Sequence, residues 1–256
     1  MIDVNLYVGE YPFRRLPSTH GEDVLALLKE IGAARAIATS FYSIFYKDNL
    51  DGLRKSLDET PEVGRQLFFW AVINPTFPGW EADAHAALDL PGVIGLRLFP
   101  MYHHYSPLDP PVLRLMALAA ERDVPVNLSH RLVDERLHHW LLNVRAVELD
   151  ELAYLVKQAT ATRLVLSHLY LSEFPQLLPA IREHPTALLD IGNAKPTIMW
   201  VEQLCEQVEP NRLVVGTGAP LYYHGGVLLC LQEARLPEVV RQAILHDNAA
   251  RLLGVQ

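Results

Sequence analysis

The chain has 256 residues, half of them apolar and only 20% charged, with a formal net charge of −8. That balance supplies a sizeable core and argues against disorder, and its sign argues against a nucleic-acid surface, which needs clustered cations to displace counterions. The opening MIDVNLYV has no basic segment and no apolar run approaches ~18 residues, so neither a signal peptide nor a membrane span is expected, and a cytoplasmic location follows by default.

Short apolar runs of strand length alternate with segments of helical period. IDVNLYV (2–8) comes first. The spacing of Thr19 and Glu22 predicts a capping box, ahead of a helix whose apolar face is Val24, Leu27, Leu28 and Ile31 and whose stop is Gly32. RAIATS (35–40), LFFWAVI (67–73) and VIGLRLF (93–99) follow as strands. Asp109-Pro110 opens a further helix, with Val112, Leu115, Met116 and Ala119 on one face.

After VPVNLS (124–129) comes an extended segment, 130–148, before the stripe Leu149, Leu152, Leu155 and Val156. A connection of that length is more often functional than incidental. RLVLSH (163–168), TALLDIG (186–192), the stripe Ile198, Val201, Leu204, Cys205 and Val208, and RLVVGTG (212–218) complete the series. Eight strands alternating with helices predict a single-domain α/β fold over residues 1–256, a (β/α)8 TIM barrel, with a doubly wound open sheet as the alternative. Cys205 and Cys230 each sit in an apolar helical pattern and are expected as free thiols.

Active sites of such barrels form at the C-terminal strand ends. Period two puts Asn5 and Tyr7 on one face of the first strand. The fourth strand carries Arg97 and leads to Tyr102, His103 and His104. The fifth and sixth end at His130 and His168, the seventh at Asp190, and the loop after the eighth reaches Tyr222, Tyr223 and His224. Imidazoles at two successive strand ends suit proton transfer or metal binding, although each could simply be satisfied by a backbone carbonyl. Arg97 is costly to bury without an anion, so either a carboxylate-bearing ligand or an internal carboxylate is expected beside it.

The phrases IDVN-x-Y-x-G, VIGLRLFP, NLSH, LVLSH, RLVVGTGAP and ILHDNAARLLG run through nearly the whole chain. Together they resemble the amidohydrolase superfamily, in the amidohydrolase-related branch that includes aminocarboxymuconate-semialdehyde decarboxylases and pyrone-dicarboxylate lactonases. The resemblance implies a divalent metal held by two strand-one histidines, a strand-five histidine and a strand-eight aspartate, with a strand-six histidine assisting. Carried over, His130 matches the strand-five ligand and His168 the strand-six histidine. Asn5 and Tyr7 replace the strand-one pair, and Gly218 replaces the aspartate. An amide oxygen, a phenol and a hydrogen are poor substitutes around zinc, so the usual metal site is expected to be lost.

The resulting expectation is a hydrolase of a small carboxylated lactone, amide or ring, with no cofactor. His168 or His130 would be the base, Arg97 the anion anchor, and Asn5 and Tyr7 the donors to the carbonyl. Tyr102 and His224 are further candidates for contact with substrate. A shifted zinc site of His130, His168 and His224 is the metal-dependent alternative. A non-catalytic protein binding a small molecule or a partner, and a metal-independent decarboxylase, remain as other readings. A homodimer is compatible with the resemblance; membrane and nucleic-acid partners are not expected.

Overall fold

The computed structural model describes residues 1–17, 19–139, 142, 144–194 and 199–254, with the backbone alone at residue 62. Eight parallel strands pair in chain order. They are β1 Ile2–Val8, β2 Arg35–Ser40, β3 Leu67–Val72, β4 Val93–Leu98, β5 Val126–Ser129, β6 Leu164–Ser167, β7 Leu188–Asp190 and β8 Leu213–Val214. Chain past β8 closes the circle through Val4 N–H to Val215 O (3.0 Å), Gly218 N–H to Asn5 O (2.7 Å) and Tyr7 N–H to Ala219 O (2.8 Å). The structure is therefore the expected barrel rather than an open sheet.

The helices α1 Gly21–Glu30, α2 Phe41–Phe45, α3 Asn49–Glu59, α4 Trp80–Leu88, α5 Pro110–Glu121, α6 Leu149–Gln158, α7 Phe174–Glu183 and α8 Trp200–Gln207 follow the first seven strands. After β8 come α9 Gly225–Glu233, α10 Glu238–Gln242 and α11 Asn248–Leu253. The predicted faces of α1, α5 and α6 are buried, apart from half-buried Leu149; so are Val201, Leu204 and Val208, while Ile198 lies outside the described residues. Cys205 and Cys230 are free.

One expected cap does not form. The residue before α1 is His20, without a side-chain capping bond, because the Thr19 hydroxyl is taken by His20 Nδ1 at 2.8 Å. The stop does form, with Gly32 at φ 67° in the left-handed region. No described helix is long and apolar enough to cross a membrane.

Period two sorts each strand. Leu6, Ala38, Leu96, Leu128, Leu166 and Leu189 face outward and merge with the helix faces in the main core. Inward, Ile2, Val4, Ile37, Trp70, Val165, Leu188 and Val214 fill the N-terminal end of the barrel, plugged by Ala249 and Leu252 of α11. Two residues further along the strands the lining turns polar: Thr39 follows Ile37, Ser167 follows Val165, and Asp190 follows Leu188. Beyond this band, Tyr7, Phe41, Ile44, Val72, Phe99, Leu132, Val133 and Leu221 form a second apolar cluster over the C-terminal mouth.

The ends of β5 and β6 are tied together. Arg131 donates to the His168 carbonyl at 3.0 Å and, by two nitrogens, to the Glu173 carboxylate, while its guanidinium lies 3.9 Å from the Tyr170 ring centroid. Burial would raise the Glu173 pKa, but donors from His130, Arg131 and the Tyr170 backbone outweigh it and hold the carboxyl down to about 2.

Two expected outcomes follow from these contacts. A Cβ on Gly216 would lie 2.4 Å from Asn5 Cβ and 2.6 Å from Asp190 Oδ2, whereas Gly226 in α9 has nothing within 4 Å. Gly216→Ala should therefore cost about 1–3 kcal/mol in urea unfolding, while Gly226→Ala should be neutral or stabilising by up to ~1 kcal/mol. Because the folded-state pKa of Glu173 is depressed from an ordinary 4.5 to about 2, its contribution is complete above pH 4.5 and lost as pH falls towards 2. Denaturation midpoints measured across that window should show a smaller acid-side decline in Glu173→Gln than in the parent protein.

Candidate functional site

The polar band is built around Arg97, which is fully buried. Its Nη1 donates to Thr39 Oγ1 (2.6 Å) and its Nη2 to Tyr7 OH (2.9 Å). Nε and Nη2 both reach Ser129 Oγ, at 3.2 and 3.0 Å. Among the described residues no carboxylate lies within ion-pair distance; of the two partners expected from sequence, a ligand carboxylate or an internal one, the internal one is absent there and three hydroxyls take the donors. The Phe99 and Tyr7 rings lie 4.9 and 5.1 Å from the guanidinium carbon. Burial lowers the Arg97 pKa while Tyr7 and Asp190 oppose the shift, and a guanidinium so placed remains a cation.

Tyr7 carries the chain of contacts onward. Its hydroxyl accepts from Arg97 and stands 3.2 Å from His168 Nε2. Asn5 Nδ2 lies 3.1 Å from the same nitrogen and donates to Asp190 Oδ2 at 3.0 Å. Asp190 Oδ1 accepts from the Gly192 and Gly216 backbone N–H groups at 2.9 and 2.8 Å. Asn5, Tyr7, Arg97 and His168 thus meet, and Asp190 completes the group.

Environment sets their protonation. Burial, followed by the positive charges of Arg97 and Arg131, pushes His168 well below its ordinary value, so its ring is neutral. Burial raises Asp190 to about 6 against the lowering effect of the Gly192 and Asn5 donors, and burial likewise raises Tyr7. His168 is held at φ 62°, a left-handed conformation rare outside glycine. Among the described residues, Asn5 Oδ1, both amide atoms of Asn127 and His130 Nδ1 meet no hydrogen-bond partner in and around this band. Buried polar atoms of this kind are ordinarily satisfied, and their concentration here is where a polar guest would be accepted.

The remaining candidates are dispersed. His130 is buried at the end of β5 but turns Nε2 to Glu173 Oε1, 3.3 Å away. Tyr102 belongs to the apolar cover and bonds His138 Nε2 at 3.1 Å. His224 does not join the group; it precedes α9 and pairs with Glu30 at 3.1 Å, which draws it to the flank of the barrel. The shifted zinc set of His130, His168 and His224 is therefore not assembled, and no group of three or more His, Cys, Asp or Glu among the described residues could hold a metal ion.

The usual metal positions do not fit an ion either. The Asn5 amide nitrogen is directed at Asp190 and His168, and Tyr7 is capped by a guanidinium that would repel a cation. Gly218, at φ 66°, has Tyr222 Cδ2 2.7 Å from where a Cβ would sit.

Chain after β1 crosses the mouth. Tyr11 packs against Phe41 and Phe45, Phe13 against Phe45 and His139, and Arg14 donates to the Leu221 carbonyl. The polar band is thereby sealed from solvent. At the rim, a cleft of about 560 Å³ opens beside the ends of β7 and β8, lined in part by Asn193, Trp200, Tyr222 and Tyr223. Sequence reasoning did not single out Thr39 or Ser129 as Arg97 partners, nor the Arg131–Glu173 pair; only the alternation of small polar residues with apolar ones in RAIATS and VPVNLS hinted at the first two.

Comparison with known proteins agrees with this architecture. No curated protein matches the chain by sequence. Solved structures that share the fold do so at low identity, and three illustrate the range. The 5-carboxyvanillate decarboxylase of Sphingomonas paucimobilis is 11% identical, with a TM-score of 0.72 and coverage of 100% of this chain and 99% of that one. A probable 2-pyrone-4,6-dicarboxylic acid hydrolase of Acinetobacter baumannii, solved with citric acid bound, is 14% identical over 99% and 98% of the chains, with a TM-score of 0.64. The 2,6-dihydroxybenzoate decarboxylase of Rhizobium is also 14% identical, over 99% and 98%, with a TM-score of 0.67. The amidohydrolase family model matches residues 23–255, nearly the whole barrel, and the chain belongs to that family.

Proposed function

We propose that this chain is a metal-independent hydrolase of a small, planar, carboxylated substrate such as a lactone, amide or ring. The observation that carries the reading is the junction at Tyr7, where a buried cation bonded to hydroxyls and a neutral imidazole share one hydroxyl. The substrate carboxylate takes Arg97 donors now spent on Tyr7 and Ser129. Tyr7 and Asn5 then turn from His168 to the reacting carbonyl oxygen, where donors count most as charge develops. His168 Nε2, relieved of both, accepts the proton of the attacking water and returns it to the leaving group. The names of the three related structures support the substrate class, since each contains a small carboxylated compound.

A second reading has its own observation. The sealed mouth and fully bonded guanidinium suit a barrel that binds without turning over. The two are separated by incubating the protein with carboxylated lactones and aromatic carboxylates in ¹⁸O-water, following ligand affinity and product mass together. Label should enter the product, and His168→Ala should lower kcat by about 10²-fold or more while affinity stays within a few-fold. Arg97→Met, checked for intact melting, should weaken carboxylate binding by about tenfold or more. Binding with no product in any arm would establish the second reading, and carbon dioxide release without label would establish a decarboxylase.

A further inference from the structure

We infer that Asp190 is a positioning residue which, acting through the Asn5 amide, fixes His168 as the tautomer protonated at Nδ1 and keeps Nε2 as a bare lone pair. Its weight for catalysis rests on His168 being the base; the tautomer itself does not.

The argument is one of hydrogen-bond direction. An ionised carboxylate can only accept. Oδ1 of Asp190 is committed to the Gly192 and Gly216 backbone N–H groups, which cannot reverse roles. Oδ2 faces the Asn5 amide at 3.0 Å, with the Ser167 hydroxyl as a further donor to the carboxylate, and the Asn5 atom at that distance must be its nitrogen. Turning the amide over would set two acceptor oxygens against each other at that distance. The same Asn5 nitrogen lies 3.1 Å from His168 Nε2, so its second proton points there. Nε2 must then receive, and the ring proton belongs on Nδ1. Tyr7 is consistent: its oxygen accepts from Arg97, leaving its own proton to donate to Nε2.

The backbone is shaped for this arrangement. Gly192 and Gly216 abut so closely that a Cβ on Gly192 would fall 1.4 Å from the Gly216 carbonyl oxygen. Their approach brings both N–H groups onto one carboxylate oxygen, which removes any freedom Asp190 would have to rotate. Neither glycine is a matter of loop flexibility; each lets a donor reach the oxygen.

The test is nitrogen-15 NMR of the intact protein with labelled histidine, reading the two His168 ring nitrogens near neutral pH. The expected spectrum has an unprotonated Nε2 and a protonated Nδ1. Asp190→Asn should invert it: the new carbonyl must face the two backbone N–H groups and the new NH₂ must face Asn5. Asn5 then turns its oxygen toward Nε2, which has to carry the proton. A protonated Nε2 in the parent protein overturns the assignment, and that measurement stands even where the variant fails to fold. An unchanged tautomer in a folded Asp190→Asn variant also overturns it. Absence of turnover alongside the expected spectra would sink the hydrolase reading and leave the role of Asp190 intact.

Discussion

Everything at the centre of this barrel answers to one constraint: a guanidinium sits in the interior, and among the described residues its hydrogen bonds go to hydroxyl groups. Burying a cation in low dielectric is expensive unless its donors are met. Tyr7, Thr39 and Ser129 meet them from three different strands, so the strands are pinned to one another at the level of Arg97. Hydroxyls supply dipoles without cancelling the charge, which is why the field of Arg97 still reaches His168 and helps hold that ring neutral. A carboxylate partner would have stabilised the cation more fully and silenced it electrostatically.

The layering above and below follows from the same constraint. The hydrogen bonds of this polar band gain strength because water is kept from both ends, where it would compete with each of them. α11 plugs one end and the aromatic cluster, with Tyr11 and Phe13 brought across from the β1 side, closes the other. Among the described residues, the unsatisfied atoms of Asn5, Asn127 and His130 mark where this enclosure is polar beyond what its own bonding needs.

Much of the fold was legible because hydrophobic period is a local signal. All eight strands lie within the expected runs, and β1 and β2 match to the residue. Strand ends were overestimated where the chain stays apolar after pairing ceases, as at β8, whose two residues carry on into the closing segment 215–219. The capping box failed because its signal is a spacing, and a neighbouring imidazole competes for the same hydroxyl. In the site, strand-end position identified Asn5, Tyr7, Arg97 and His168, which the barrel brings together. It could not reveal that His224 would be drawn to Glu30, since a pairing across 194 residues leaves no local trace. Nor could it show that Arg97 would be met by hydroxyls, because strand pleat fixes the face of a side chain and not its partner.

The carboxylate of this site illustrates how a barrel redistributes chemistry. The family resemblance places an aspartate after β8, where this chain has Gly218, yet a buried carboxylate is present one strand earlier at Asp190. Glycine at 216 leaves room for that carboxylate, because a Cβ there would lie 2.6 Å from Asp190 Oδ2. β7 and β8 are neighbours in the closed sheet, so the carboxylate sits at the barrel centre, where it meets Asn5. At the first-strand positions where the resemblance implies metal ligands, an amide and a phenol instead direct an imidazole through hydrogen bonds.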